Sequence, residues 1–135
     1  MGSHRHTTDV GFTDVSGFFF RDVSHYQPPP KLLSFLKGGP PPIYIGFGSI
    51  VFQDSDHMLS LILDAVKAAG VRAIISKGWS NLQVEDREDV CLIGDCPHEW
   101  LFPEVAAVMH HGGAGTTACG LKNGKPTFII PFFGE

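Results

Sequence analysis

Positive charge is thin in this 135-residue chain and nowhere gathered: ten lysines and arginines stand singly against fourteen acidic residues, for a formal net charge of −4. A nucleic-acid backbone requires a basic stripe, so no nucleic-acid partner is expected. Cysteine is scarce and odd in number, and Cys91, Cys96 and Cys119 form no C-x-x-C pair or zinc spacing. That excludes a disulfide framework and fits three buried thiols in a reducing, cytoplasmic setting. No apolar run approaches the roughly 20 residues needed to cross a bilayer. The start "MGSHRHTTDV" is too polar for a secretory signal. There is no G-x-S-x-G, hence no nucleophile elbow. No carboxylate stands at ligand spacing from His110 and His111, which as strand neighbours point apart, so no metal is expected.

What is present is a globular composition. Apolar residues make up 43% of the chain, and 16 glycines and 10 prolines separate apolar runs without forming a low-complexity tract. The length suits one core. Residues 1–14 read as disordered or non-native, and residues 15–42 as a connector. The connector holds "VSGFFF", suited to a buried strand or to packing on a domain edge, and a short helix over 31–37 between two proline triplets. From residue 43 the pattern alternates. Strands are expected at 43–47, 71–76, 90–94, 105–109 and 127–131. Helices are expected after Asp54 or Ser55, ending at Gly70, and from about Gly115 to Lys122. Short, continuously apolar strands alternating with helices predict an α/β fold, a Rossmann-like open parallel sheet covered on both faces.

Ligands bind such sheets beyond the carboxyl ends of the strands. The unusual loops all fall there: "GFGS", "KGWS", "GDCPHEW", "HHGGAGTT" and "PFFGE". Gly112, Gly113 and Gly115, followed by Thr116 and a helix, bare backbone amides at a helix N-terminus, where a phosphate or diphosphate is the natural ligand. His110 and His111 precede that turn, and a facing anion would raise an imidazole's pKa and favour its cationic form. A plain strand-to-helix bend would use the same glycines. Gly113, Gly115 and Ala118 also satisfy G-x-G-x-x-A with Glu135 about 20 residues on, a dinucleotide fingerprint, although strands precede it and paired histidines have no use in it. Ser49 suits a second phosphate or sugar contact, or simply a βα turn. Trp79, beside Ser80, can stack on a base or lid the core. His98 can hydrogen-bond a base edge, cap a helix or face solvent.

Together, "PPIYIGFGSI", "GVRAIISKGWS" and "GDCPHEWLFPEVAAVMHHGGAGTTACGLKNGKPTFIIPFFGE" resemble the UDP-dependent glycosyltransferases of the GT-B fold, in particular the sterol 3-beta-glucosyltransferases of fungi and bacteria. The resemblance implies that residues 43–135 are a UDP-sugar donor-binding domain, truncated at its C-terminal end. It implies transfer of glucose from UDP-glucose to the 3-beta-hydroxyl of a sterol or other lipid acceptor, with inversion and without cofactor or metal. Carried over by position, His110 holds the donor diphosphate, Gly113, Ala114, Gly115 and Thr116 form the phosphate turn, and Ser49 lies near the phosphates. Cys96 and His98 meet the uracil, Trp79 and Ser80 lie beside it, and Glu135 contacts the sugar hydroxyls. The family's catalytic histidine and its aspartate belong to an N-terminal acceptor domain, and a glutamine follows the acidic residue at 135. No catalytic base is therefore expected within these residues, and the fragment alone is expected to be inactive. The resemblance further implies a cytoplasmic protein able to associate peripherally with membranes.

Overall fold

The computed structural model describes residue 14 and residues 16–46, 55–77 and 87–131. Its elements, in chain order, are α1 (Pro30–Lys37), β1 (Ile43–Ile45), α2 (Ser55–Ala69), β2 (Ala73–Ser76), β3 (Val90–Ile93), α3 (His98–Leu101), a 3-10 turn (Phe102–Glu104), β4 (Ala107–His110), α4 (Ala114–Lys122) and β5 (Thr127–Ile129). The five strands form one sheet in the order β3-β2-β1-β4-β5, every neighbouring pair parallel. The expected α/β parallel sheet is thus observed.

Side chains alternate across a strand, and here both faces are apolar. One face carries Tyr44, Ile74, Cys91, Ile93 and Val108 into a core completed by Leu32 of α1, Leu101, Phe102, Val105 and Cys119. The other carries Ile45, Ala73, Ile75 and Val90 against Leu59 and Val66 of α2. α1, within the expected connector, therefore contributes to the core. It is tied down by Arg72, whose guanidinium lies 4.1 Å over the Phe35 ring and donates to the carbonyls of Pro40 and Phe35.

Some of these expectations shift and others hold. β4 begins at Ala107 and not at 105, because the Val105 amide closes the 3-10 turn by donating to the Phe102 carbonyl. α2 ends where expected, at a Gly70 with φ +64°, a conformation only glycine adopts freely. Its expected cap at Asp54 lies outside the described residues. The segment 16–20 is no buried strand: β3 and β5 are the sheet's two edges, and Phe18 and Phe19 are 56% and 86% exposed. Phe20 rests under the Lys122 ammonium at 4.2 Å, a surface cation–π contact.

Candidate functional site

The chain winds from β1 outward through β2 to β3, then returns to lay β4 on the other side of β1. The order of strands reverses between β1 and β4, which opens a crevice at their carboxyl ends. Ile45 pairs with Met109, so the next step in register sets His110 beside Gly46.

His110 is fully buried. Its Nδ1 accepts the Gly112 amide at 2.9 Å, which requires that nitrogen to be unprotonated. The proton of the neutral ring is then on Nε2, which is buried and has no partner among the described residues. A buried N–H without an acceptor is costly, so the site presents a donor in want of a lone pair. Burial first, then His111 and His98, hold His110 below its ordinary value of 6.5. The protein by itself therefore favours the neutral ring; the cation expected of this residue is tied to a facing anion.

The turn that follows is built around these rings. Gly112 has φ +98°, and a Cβ there would approach the Ile129 side chain at 3.0 Å. Gly112→Ala is therefore expected to destabilise the fold by about 1–3 kcal/mol, measured as a shift in the urea midpoint. A Cβ at Gly113 would lie 2.8 Å from His111 Nε2, so this glycine gives the His111 ring its seat. The His111 ring stands nearly perpendicular to that of His110, with centroids 6.1 Å apart. α4 starts at Ala114 after the Gly113 N-cap, with no side-chain cap. The first intrahelical bond runs from the Thr117 amide to the Gly113 carbonyl. The amides of Ala114, Gly115 and Thr116 are left without helical acceptors, at the positive end of the helix dipole.

His98, the first residue of α3, stacks on Phe102 at 4.8 Å and 18°. Both its ring nitrogens are engaged: Nε2 lies 3.2 Å from the Tyr44 hydroxyl and Nδ1 3.4 Å from Thr116 Oγ1. That leaves the side chain no free nitrogen for a base edge. Burial lowers its pKa. Beside it runs a cleft of about 510 Å³ lined by Arg21, Tyr26, Tyr44, Ser76 and residues 93–98, a size suited to a small ligand. Cys96 is half-buried on its wall, and burial pushes its thiol up. Arg21 pairs with Glu99 at 3.4 Å, and Tyr26 packs on Trp100.

The structure thus gathers His98, His110, Gly113, Ala114, Gly115 and Thr116 at the crevice, with Cys96 on the cleft wall. Ser49, Trp79, Ser80 and Glu135 lie outside the described residues. Arg21, Tyr26, Tyr44 and Ser76 are additions. Only Tyr44 left a signal, a lone hydroxyl within "IYIGF", because a buried tyrosine hydroxyl seeks a partner. Among the described residues no group of three or more histidines, cysteines or carboxylates is arranged to hold a metal.

The lowered pKa values give a pH dependence. His98 and His110 stay neutral in the fold, whereas the unfolded chain takes up protons below about pH 6.5. The unfolded state then binds more protons, so stability is complete above that pH and falls as pH drops toward the folded-state values. Thermal melts at pH 7.5 and 5.5 are expected to give the lower midpoint at 5.5, by a margin that shrinks in His110→Gln.

No family model matches the sequence. A sterol 3-beta-glucosyltransferase of Arabidopsis thaliana is 49% identical over 126 residues, 90% of this chain and 20% of that protein. One from Pichia angusta is 43% identical over 133 residues, 90% of this chain and 11% of that protein. The chain spans about one fifth or less of the length of these relatives. Among solved structures, the glycosyltransferase SnogD from Streptomyces nogalater superposes with a TM-score of 0.57 at 25% identity, over 69% of this chain and 26% of SnogD. The glycosyltransferase VinC, solved in complex with DTDP, gives 0.55 at 23% identity, over 73% and 26% of the two chains. The superpositions cover 69% and 73% of this chain, and the sequence matches to the two sterol 3-beta-glucosyltransferases each cover 90% of it. Over most of its length this chain is thus similar to one segment of the sterol 3-beta-glucosyltransferases, and its open parallel sheet resembles the domains of GT-B glycosyltransferases.

Proposed function

We propose that this chain binds the nucleotide diphosphate of UDP-glucose, as the donor half of an enzyme that transfers glucose to the 3-beta-hydroxyl of a sterol with inversion. The observation that carries the reading is the buried Nε2–H of His110, without a partner among the described residues, four residues ahead of an α4 N-terminus whose first amides have no helical acceptor. Inverting displacement leaves negative charge on the diphosphate as the glycosidic bond breaks, and fixed donors aimed at that charge lower the barrier. His110, Thr116 and the amides of residues 114–116 would supply them here, a role a divalent cation plays elsewhere. The 510 Å³ cleft would seat the nucleoside, with the backbone of residues 94–97 facing the base. Ser49, Trp79, Ser80 and Glu135 keep their proposed places beside phosphate, base and sugar. The base that deprotonates the acceptor is assigned to the acceptor-binding part of the full-length enzyme.

VinC's complex with DTDP supports a nucleoside diphosphate in this kind of domain, and the names of the sterol glucosyltransferase relatives support the acceptor. No described helix is long and apolar enough to cross a membrane. We place the protein in the cytoplasm, meeting its lipid acceptor peripherally. Calorimetric titration with UDP, UDP-glucose and NAD, with and without EDTA, tests the reading. UDP and UDP-glucose are expected to bind regardless of chelator. Tighter binding of NAD would instead establish the dinucleotide alternative.

A further inference from the structure

We propose that Tyr44 and His98 are positioning residues: together they orient the Thr116 hydroxyl so that its proton points away from His98, toward an anion at the α4 N-terminus. The inference rests on the diphosphate reading of that N-terminus for its purpose, but on side-chain geometry for its content.

The ring of His98 is fixed from three sides. Phe102 stacks on its face at 4.8 Å, the Tyr44 hydroxyl lies 3.2 Å from Nε2, and Thr116 Oγ1 lies 3.4 Å from Nδ1. A neutral imidazole offers one N–H and one lone pair, so only two arrangements satisfy both neighbours. With the proton on Nε2, His98 donates to Tyr44 and Nδ1 must accept the Thr116 proton. Thr116 would then turn only lone pairs toward the helix N-terminus and repel an anion. With the proton on Nδ1, His98 donates to Thr116 Oγ1 and Nε2 accepts from Tyr44. The Thr116 proton is then free to be donated onward.

Tyr44 selects between them. It is 4% exposed, and burial pushes its pKa to about 12, so the hydroxyl keeps its proton at neutral pH. A buried O–H left without an acceptor is costly, and the hydroxyl's hydrogen-bond partner is His98 Nε2 at 3.2 Å, so the phenol directs its own proton at Nε2, which must accept. That fixes the Nδ1–H tautomer and so the direction of the Thr116 hydroxyl. A residue on β1, one at the start of α3 and one in the first turn of α4 thereby act as a single chain of donors.

Two measurements on the full 135-residue chain test this. Long-range ¹H–¹⁵N correlation spectra of the wild type should show His98 as the Nδ1–H tautomer. Tyr44→Phe should admit the Nε2–H form, and should weaken UDP binding by about 3- to 10-fold, the worth of one neutral hydrogen bond. Thr116→Val should lose a similar factor. Adding Tyr44→Phe to Thr116→Val should lose no more, since residues acting through one group are not additive. An Nε2–H tautomer in the wild type overturns the relay whatever UDP does, and so do additive losses in the double variant. If the wild type shows the Nδ1–H form yet binds no UDP, the diphosphate reading fails and the relay stands.

Discussion

His110→Ala is expected to weaken UDP binding by about 10- to 100-fold, the range for a hydrogen bond to a charged group. The imidazole has one orientation available, because the Gly112 amide holds Nδ1 at 2.9 Å and directs Nε2–H away from it. Alanine removes the donor, and also strands the Gly112 amide and leaves a void where the buried imidazole stood. A fall in thermal midpoint should therefore accompany the loss of affinity. His110→Gln separates the two effects. Its amide carries both an acceptor and a donor, so it should recover part of the affinity if the site needs a donor at that point. Unchanged UDP affinity in a folded His110→Ala protein would remove His110 from the phosphate site.

The same residue marks the boundary of what could be read from the sequence. "MHHGGAGTT" announces an anion site, since glycines before a helix bare amides. Burial, which is not written locally, favours the neutral form of His110 in the protein by itself. The sheet was legible because its strands are short, continuous apolar runs, a pattern that parallel, doubly covered strands require. "VSGFFF" has the same pattern, yet its described residues 16–20 take no place in the sheet, and apolarity alone cannot tell the two apart. Nor could the Tyr44–His98–Thr116 chain be anticipated: its members stand 54 and 18 residues apart and meet only because β1, α3 and α4 converge at one end of the sheet.

Phe102→Ala is expected to reach furthest into both stability and binding. The residue is completely buried, and removing a core phenyl costs about 3–5 kcal/mol, a large share of the roughly 5–15 kcal/mol that holds a domain together. Its ring also backs two others, with the Tyr44 centroid at 5.2 Å and His98 stacked at 4.8 Å. Without that support the His98 ring can tilt, and its distances to Tyr44 and Thr116, already long at 3.2 and 3.4 Å, would open further. A urea melt should show the lost stability directly. UDP affinity, measured in low denaturant where the variant is folded, should fall by about the 3- to 10-fold assigned to one hydrogen bond. Val105→Ala is the matching control: it is equally buried in the same core, so it should lose stability while keeping UDP affinity. Equal affinities for the two folded variants would show that Phe102 serves the core alone and that His98 holds its place without it.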